Sequence, residues 1–165
     1  QRTDLPPHRA ARAKTDAHPG PTYSEYSREL SFSGSSQEYY HLKEEDDFQL
    51  DVADLCRTLE AGGYDFLILC NPNNPTSSAI LQEDMRQLLR FCKDSDIFVM
   101  IDETYVEFAP DISAVTAVPL TRESKSHGTA GRLQVLRRPR HAARYGITGN
   151  QEFLRKMKEK QIPGP

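Results

Sequence analysis

The chain has 165 residues, with 21 Lys and Arg against 24 Asp and Glu, for a formal net charge of -3. That length fits about one domain on the usual scale of ~100–200 residues. No apolar run approaches the ~18 residues of a membrane span, no apolar leader is visible, and Cys56, Cys70 and Cys92 match no zinc spacing, so a reduced, cytoplasmic setting is expected.

The near-neutral total averages unlike pieces. Residues 1–19 carry net +2, residues 20–121 net -13, residues 122–144 net +6 and residues 145–165 net +2. An acidic, patterned middle lies between basic flanks of low hydrophobicity, and the flank at 1–19 reads as atypical for a folded domain.

In chain order, Thr22 to Leu30 predicts a helix and Gln37 to Leu42 a short, aromatic-rich strand. Glu44 to Asp47 reads as a solvated acidic turn. Leu50 to Ala61 places Val52, Leu55, Cys56 and Leu59 at helical spacing, and Gly62-Gly63 stops that helix. Asp65 to Cys70 is a continuous apolar run, as expected of a parallel strand covered on both faces. Gln82 to Cys92 is an amphipathic helix with Met85, Leu88, Leu89 and Cys92 on one side. Ile97 to Ile101 is a second buried strand. Residues 65–101 therefore form a βαβ unit, which is right-handed by rule. Ligands in such sheets gather at the carboxyl ends of the strands. Both strands end in polar motifs there.

After the first strand comes Asn71-Pro72-Asn73-Asn74-Pro75-Thr76. Two prolines fix this backbone, and the asparagine amides either bond their own turn or point at a ligand. After the second comes Asp102-Glu103-Thr104-Tyr105. An acid at the end of a buried strand is costly unless paired or hydrogen-bonded, so Asp102 needs a partner.

NPNNPT about 30 residues before IDETY, with Gly20-Pro21-Thr22-Tyr23-Ser24-Glu25-Tyr26 upstream, resembles the fold-type I pyridoxal-phosphate enzymes of the class I/II aminotransferase family. Within it, the likeness is to the branch of histidinol-phosphate aminotransferase and threonine-phosphate decarboxylase. The resemblance covers residues 20–121 closely and resumes at Tyr145, where 145–165 reads as a family-like helical segment. It implies an α/β fold, an incomplete three-layer α/β/α large domain with a mostly parallel sheet. It also implies a central fragment of a longer enzyme.

The cofactor implied is pyridoxal 5'-phosphate. By resemblance Tyr23 would stack on its ring, Asn74 and Tyr105 would bond its 3-oxygen, and Asp102 would pair with the pyridinium nitrogen. Ser77 stands where many relatives have glycine. Tyr26, Glu103 and Glu107 read as fold or surface residues. The implied reaction moves an amino group between an amino acid or amino-phosphate and a 2-oxo acid. The alternatives are a decarboxylase of the threonine-phosphate kind and an inactive remnant. Relatives are usually homodimeric.

The family also needs a Schiff-base lysine in an S-K motif and an arginine for the cofactor phosphate. Residues 122–144 show neither in a family-like context. Lys125, the lysine there, follows a serine but lies 23 residues past Asp102. Arg137, Arg138, Arg140 and Arg144 could neutralise phosphates, yet aromatics and a known module are missing, so no nucleic-acid partner is expected. A segment so rich in Arg, Pro, Gly and His is expected to form an irregular surface loop.

Out-of-frame translation is one expectation for both basic flanks; the alternative is a natural but divergent basic loop. Codons exist for all of residues 125–144 that, read one frame over, give PNLMVLRAGSKFFAAPGMRLG and run into Tyr145. Residues 1–19 likewise yield NGLIYRLTARHGPKRTLIP before Gly20. Sequencing the source DNA tests this. The expected result is a lysine codon straddling those of Gln134 and Val135. A gene with no such alternative frame overturns it.

Overall fold

The computed structural model of the chain describes residues 15–31, 36–126, 133–137, 145–151, 154, 155 and 159. In chain order these form β1 (Thr15–Gly20), α1 (Glu25–Ser31), β2 (Ser36–His41), α2 (Val52–Gly62), β3 (Phe66–Cys70), α3 (Gln82–Asp94), β4 (Phe98–Asp102), α4 (Ile112–Val115), α5 (Val118–Ser126), β5 (Leu133–Arg137) and β6 (Tyr145–Thr148). One sheet runs β2-β1-β3-β4-β5-β6. All neighbours are parallel except β5 and β6. Among the described residues no helix is long and apolar enough to cross a membrane.

Local chemistry explains the element ends. Asp51 caps α2 by accepting the Asp54 N–H at 2.9 Å, so that helix starts at Val52 rather than Leu50. Gly63, at φ 67°, ends it in the left-handed region that glycine enters freely. The acidic stretch after β2 is an exposed 3-10 turn over Glu44–Asp46.

Side-chain alternation divides the core between the two sheet faces. On one face Leu67, Leu69, Val99, Ile101, Leu133 and Val135 meet Leu55 and Leu59 of α2, Met85 and Leu88 of α3, and Leu120 of α5. Each fully buried leucine is worth about 1.5–3 kcal/mol. The other face carries Ile68 and Cys70 against Tyr26 of α1, with Leu30, Phe66 and Met100 partly buried beside them. Phe66 and Phe98 stack there with ring centroids 5.7 Å apart. This is an α/β architecture with three helices over one face and a single described helix over the other.

The sequence reading missed three strands. Residues 15–19 fell in the flank read as atypical but form, with Gly20, β1, a strand paired on both sides and buried from Asp16 to Gly20. The expected irregular loop at 122–144 instead contains the end of α5 and all of β5. Its charge-rich composition hid a local pattern. Leu133 and Val135 point into the core, while Gln134 bonds Thr148 Oγ1 of β6 at 2.8 Å. The expected helical segment at 145–165 opens with strand β6, and most of its remainder lies outside the described residues, as do 1–14, 127–132 and 138–144.

β1 carries a buried histidine. His18 is fully enclosed; its Nε2 lies 3.1 Å from Ser27 Oγ, and its ring meets Tyr39 edge-on at 4.2 Å. Its Nδ1 has no hydrogen-bond partner. Burial lowers its pKa from the usual 6.5. Below about pH 6.5 the unfolded chain therefore binds a proton that the folded chain resists, and stability falls with pH until the folded pKa is passed. Urea midpoints measured between about pH 5 and 8 should drop on the acid side for the wild type. His18→Leu should flatten part of that drop. An identical pH slope in both proteins would show that His18 is not its source.

Candidate active site

The topology makes a crevice. The connection from β1 leads through α1, over one face, to β2. The connection from β3 leads through α3, over the other face, to β4. β1 and β3 are neighbours. The segments leaving their carboxyl ends thus diverge to opposite sides, which is where ligands enter open α/β sheets. Pro21 to Tyr23 leaves β1 there, Asn71 to Thr76 leaves β3, and Asp102 to Tyr105 leaves β4. Register sets them level, because Cys70 pairs with Asp102 and Asp102 with Leu136.

The asparagines of the first motif divide their work. Asn71 is buried; its Nδ2 donates to the Ile80 and Val115 carbonyls at 3.1 Å each, and its Oδ1 accepts the Ile80 N–H at 2.8 Å. It pins the loop to the chain before α3 and to α4. Asn73 closes the crevice floor. It donates to the Pro21 carbonyl at 2.9 Å and to Thr76 Oγ1 at 2.8 Å, and accepts from Thr22 Oγ1 at 2.7 Å. Both asparagines serve the fold. Asn74 instead points its amide at the Tyr105 hydroxyl, 3.4 Å away. Tyr105 is 39% exposed and Tyr23 38%, so both rings reach the surface at the crevice.

Asp102 sits among donors. Its Oδ1 accepts the Thr104 N–H at 2.8 Å and the Thr104 hydroxyl at 2.5 Å. Its Oδ2 accepts the Tyr26 hydroxyl at 3.0 Å. Burial first, and then the nearness of Cys70 and Asp102, pushes the Tyr26 phenol far above its usual value. Burial also raises the Cys70 thiol, whose Sγ lies 3.3 Å from the Pro72 carbonyl. That makes Cys70 a poor nucleophile.

Two residues read as fold or surface positions have defined partners. Tyr26 reaches Asp102, and its position three residues past Tyr23 at helical spacing was the available signal. Glu103 is 1% exposed and accepts the Thr116 hydroxyl at 2.9 Å and the Ala117 N–H at 2.5 Å. It ties the end of β4 to the start of α5. Strand alternation after Asp102 turns it toward that opposite face.

Lys125 lies elsewhere. It belongs to the last turn of α5. In a parallel βαβ crossover the helix runs against the strands, so its end returns to the edge where they begin. Lys125 and Lys93, in the last turn of α3, both stand at that edge, with Asp102 at the other.

Known proteins share this fold. A family profile for aminotransferase class I and II matches residues 14–136, running past the stretch ending at 121 on which the sequence resemblance was closest. A protein of Caldanaerobacter subterraneus described as a threonine-phosphate decarboxylase is 32% identical over 94% of this chain and 42% of its own length. Histidinol-phosphate aminotransferase 2 of Mannheimia succiniciproducens is 36% identical over 58% of this chain and 26% of its own. The crystal structure of the histidinol-phosphate aminotransferase from Clostridium acetobutylicum superposes with a TM-score of 0.75 at 27% identity, covering 91% of this chain and 44% of that one. The chain thus spans less than half the length of these relatives.

The loop after β3 offers a test of its geometry. Ser77, which by the resemblance stands where many relatives have glycine, has φ 61°, and its N–H donates to the Asn73 carbonyl at 2.8 Å. A side chain in that left-handed region costs about 1 kcal/mol that glycine does not. Ser77→Gly should therefore raise the urea midpoint, with a gain of up to about 1 kcal/mol after the added chain entropy of glycine. A lower midpoint would mean that the Ser77 side chain has a role its backbone geometry does not explain.

Proposed function

The chain belongs to the class I and II aminotransferase family, and on that premise we propose that its crevice is the cofactor half of a pyridoxal 5'-phosphate site. The enzyme type is one that moves an amino group between an amino acid or amino-phosphate and a 2-oxo acid. The observation that carries the reading is the convergence of Asn74, Tyr105 and the anchored Asp102 at one level of the strand ends.

The donor set fits such a group. Asp102 keeps its carboxylate at the crevice, where it can hold a proton on a pyridine nitrogen. Asn74 Nδ2 and the Tyr105 hydroxyl already converge, and two adjacent donors suit one anionic ring oxygen. The partly exposed Tyr23 ring offers a flat face to a heteroaromatic ring. The cofactor, when bound, supplies an electron sink for a carbanion next to the amino group, most effective with its ring nitrogen protonated.

The 32% identity to a protein described as a threonine-phosphate decarboxylase favours a second reading, loss of carboxylate rather than amino transfer on the same half-site. By the family's usual habit the intact enzyme forms a homodimer. Lys43 lies 4.0 Å from Glu45, and Lys93 and Lys125 belong to the last turns of α3 and α5, whose ends return to the edge where the strands begin.

On this reading the cofactor binds this chain without covalent attachment at Lys125, and the chain alone is expected to show no turnover. Absorbance titration should show saturable binding of pyridoxal phosphate, weakened about tenfold or more in Asp102→Ala. Borohydride reduction followed by peptide mass mapping should leave Lys125 unmodified. Binding unaffected by Asp102→Ala, an adduct on Lys125, or transaminase activity from the purified chain would each overturn this assignment.

A further inference from the structure

Asp102 is held at two points by two different elements. Thr104, two residues on, gives both its N–H and its hydroxyl to Oδ1. These bonds are local and converge on one oxygen, so alone they leave the carboxylate free to swing about it. The second oxygen is fixed from across the sheet. Tyr26 on α1 donates its hydroxyl to Oδ2 at 3.0 Å. Its ring is buried at 9% exposure against Ile68 and Cys70, so the phenol has little room to move away. A phenol raised by burial and by its neighbours stays protonated and meets the carboxylate as a donor.

We propose that Tyr26 is a positioning residue whose hydroxyl sets the plane of the Asp102 carboxylate toward a protonated ring nitrogen. The proposal rests on the reading that Asp102 faces the pyridine nitrogen of pyridoxal phosphate. Tyr26 touches no ligand atom; it acts through Asp102. Its contribution is therefore specific to ligands that carry that nitrogen.

The specificity gives the test. Wild type and Tyr26→Phe are titrated with pyridoxal phosphate and with its deaza analogue, in which carbon replaces the ring nitrogen, and binding is followed by absorbance. Wild type should prefer pyridoxal phosphate by about tenfold, the scale of one hydrogen bond to a charged group. Tyr26→Phe keeps the ring and its packing, and should cut that preference about fivefold while changing analogue affinity less than about twofold. An unchanged preference, or equal loss for both ligands, overturns the inference, because a merely structural role weakens both alike. A wild type without any preference overturns the placement of Asp102 itself, and this inference with it. Should Tyr26→Phe fail to unfold cooperatively, Tyr26→His carries the comparison. It restores an N–H donor on a ring, so a retained preference supports the proposal and a lost one overturns it.

Discussion

A carboxylate at the carboxyl end of a central parallel strand is the constraint around which the described structure is arranged. Its charge is expensive near an apolar sheet unless donors surround it. Thr104 supplies two of them by turning the backbone sharply after β4, and Tyr26 supplies the third from α1. The consequences spread outward. Strand alternation sends Glu103 to the opposite face, where its carboxylate accepts from Thr116 and Ala117 and fixes the entry to α5. The reach of Tyr26 requires α1 to lie over the face that carries Ile68 and Cys70. One acid thus sets a helix on one side and a loop on the other.

The neighbouring loop solves a related problem with neutral groups. A segment leaving a buried strand carries backbone groups that need partners. Asn71 and Asn73 supply them, the first to residues before α3 and at α4, the second to Pro21 across the crevice. Because these two amides are spent on the scaffold, Asn74 is left facing Tyr105. The division of roles within one six-residue motif follows from which side chains the crevice walls can reach.

Legibility followed the range of the interactions. The βαβ unit was read almost to its ends, with β3 and β4 each within a residue or so of expectation, because apolar runs and helical spacing are local signals. Asp102, Asn74 and Tyr105 were legible as candidates because their motifs stand directly after those strands. β1 and β5 were not. The buried His18 and Pro19 in β1, and the arginines after Leu136, are poor strand markers, and pairing with neighbours on both sides overrides composition there. Tyr26 was passed over because its partner is remote in sequence.

The amino-acid sequence by itself determined the acidic α/β middle, the order of strand, helix and strand, and the polar motifs at the strand ends. Each depends on residues within a turn or two of one another. Only the tertiary structure decided which asparagine serves the fold and which faces the crevice, where Lys125 stands, and what holds Asp102. Thr22 meets Asn73 across 51 residues and Tyr26 meets Asp102 across 76. Contacts of that separation exist only once parallel pairing has brought the strand ends level, and no local pattern encodes them.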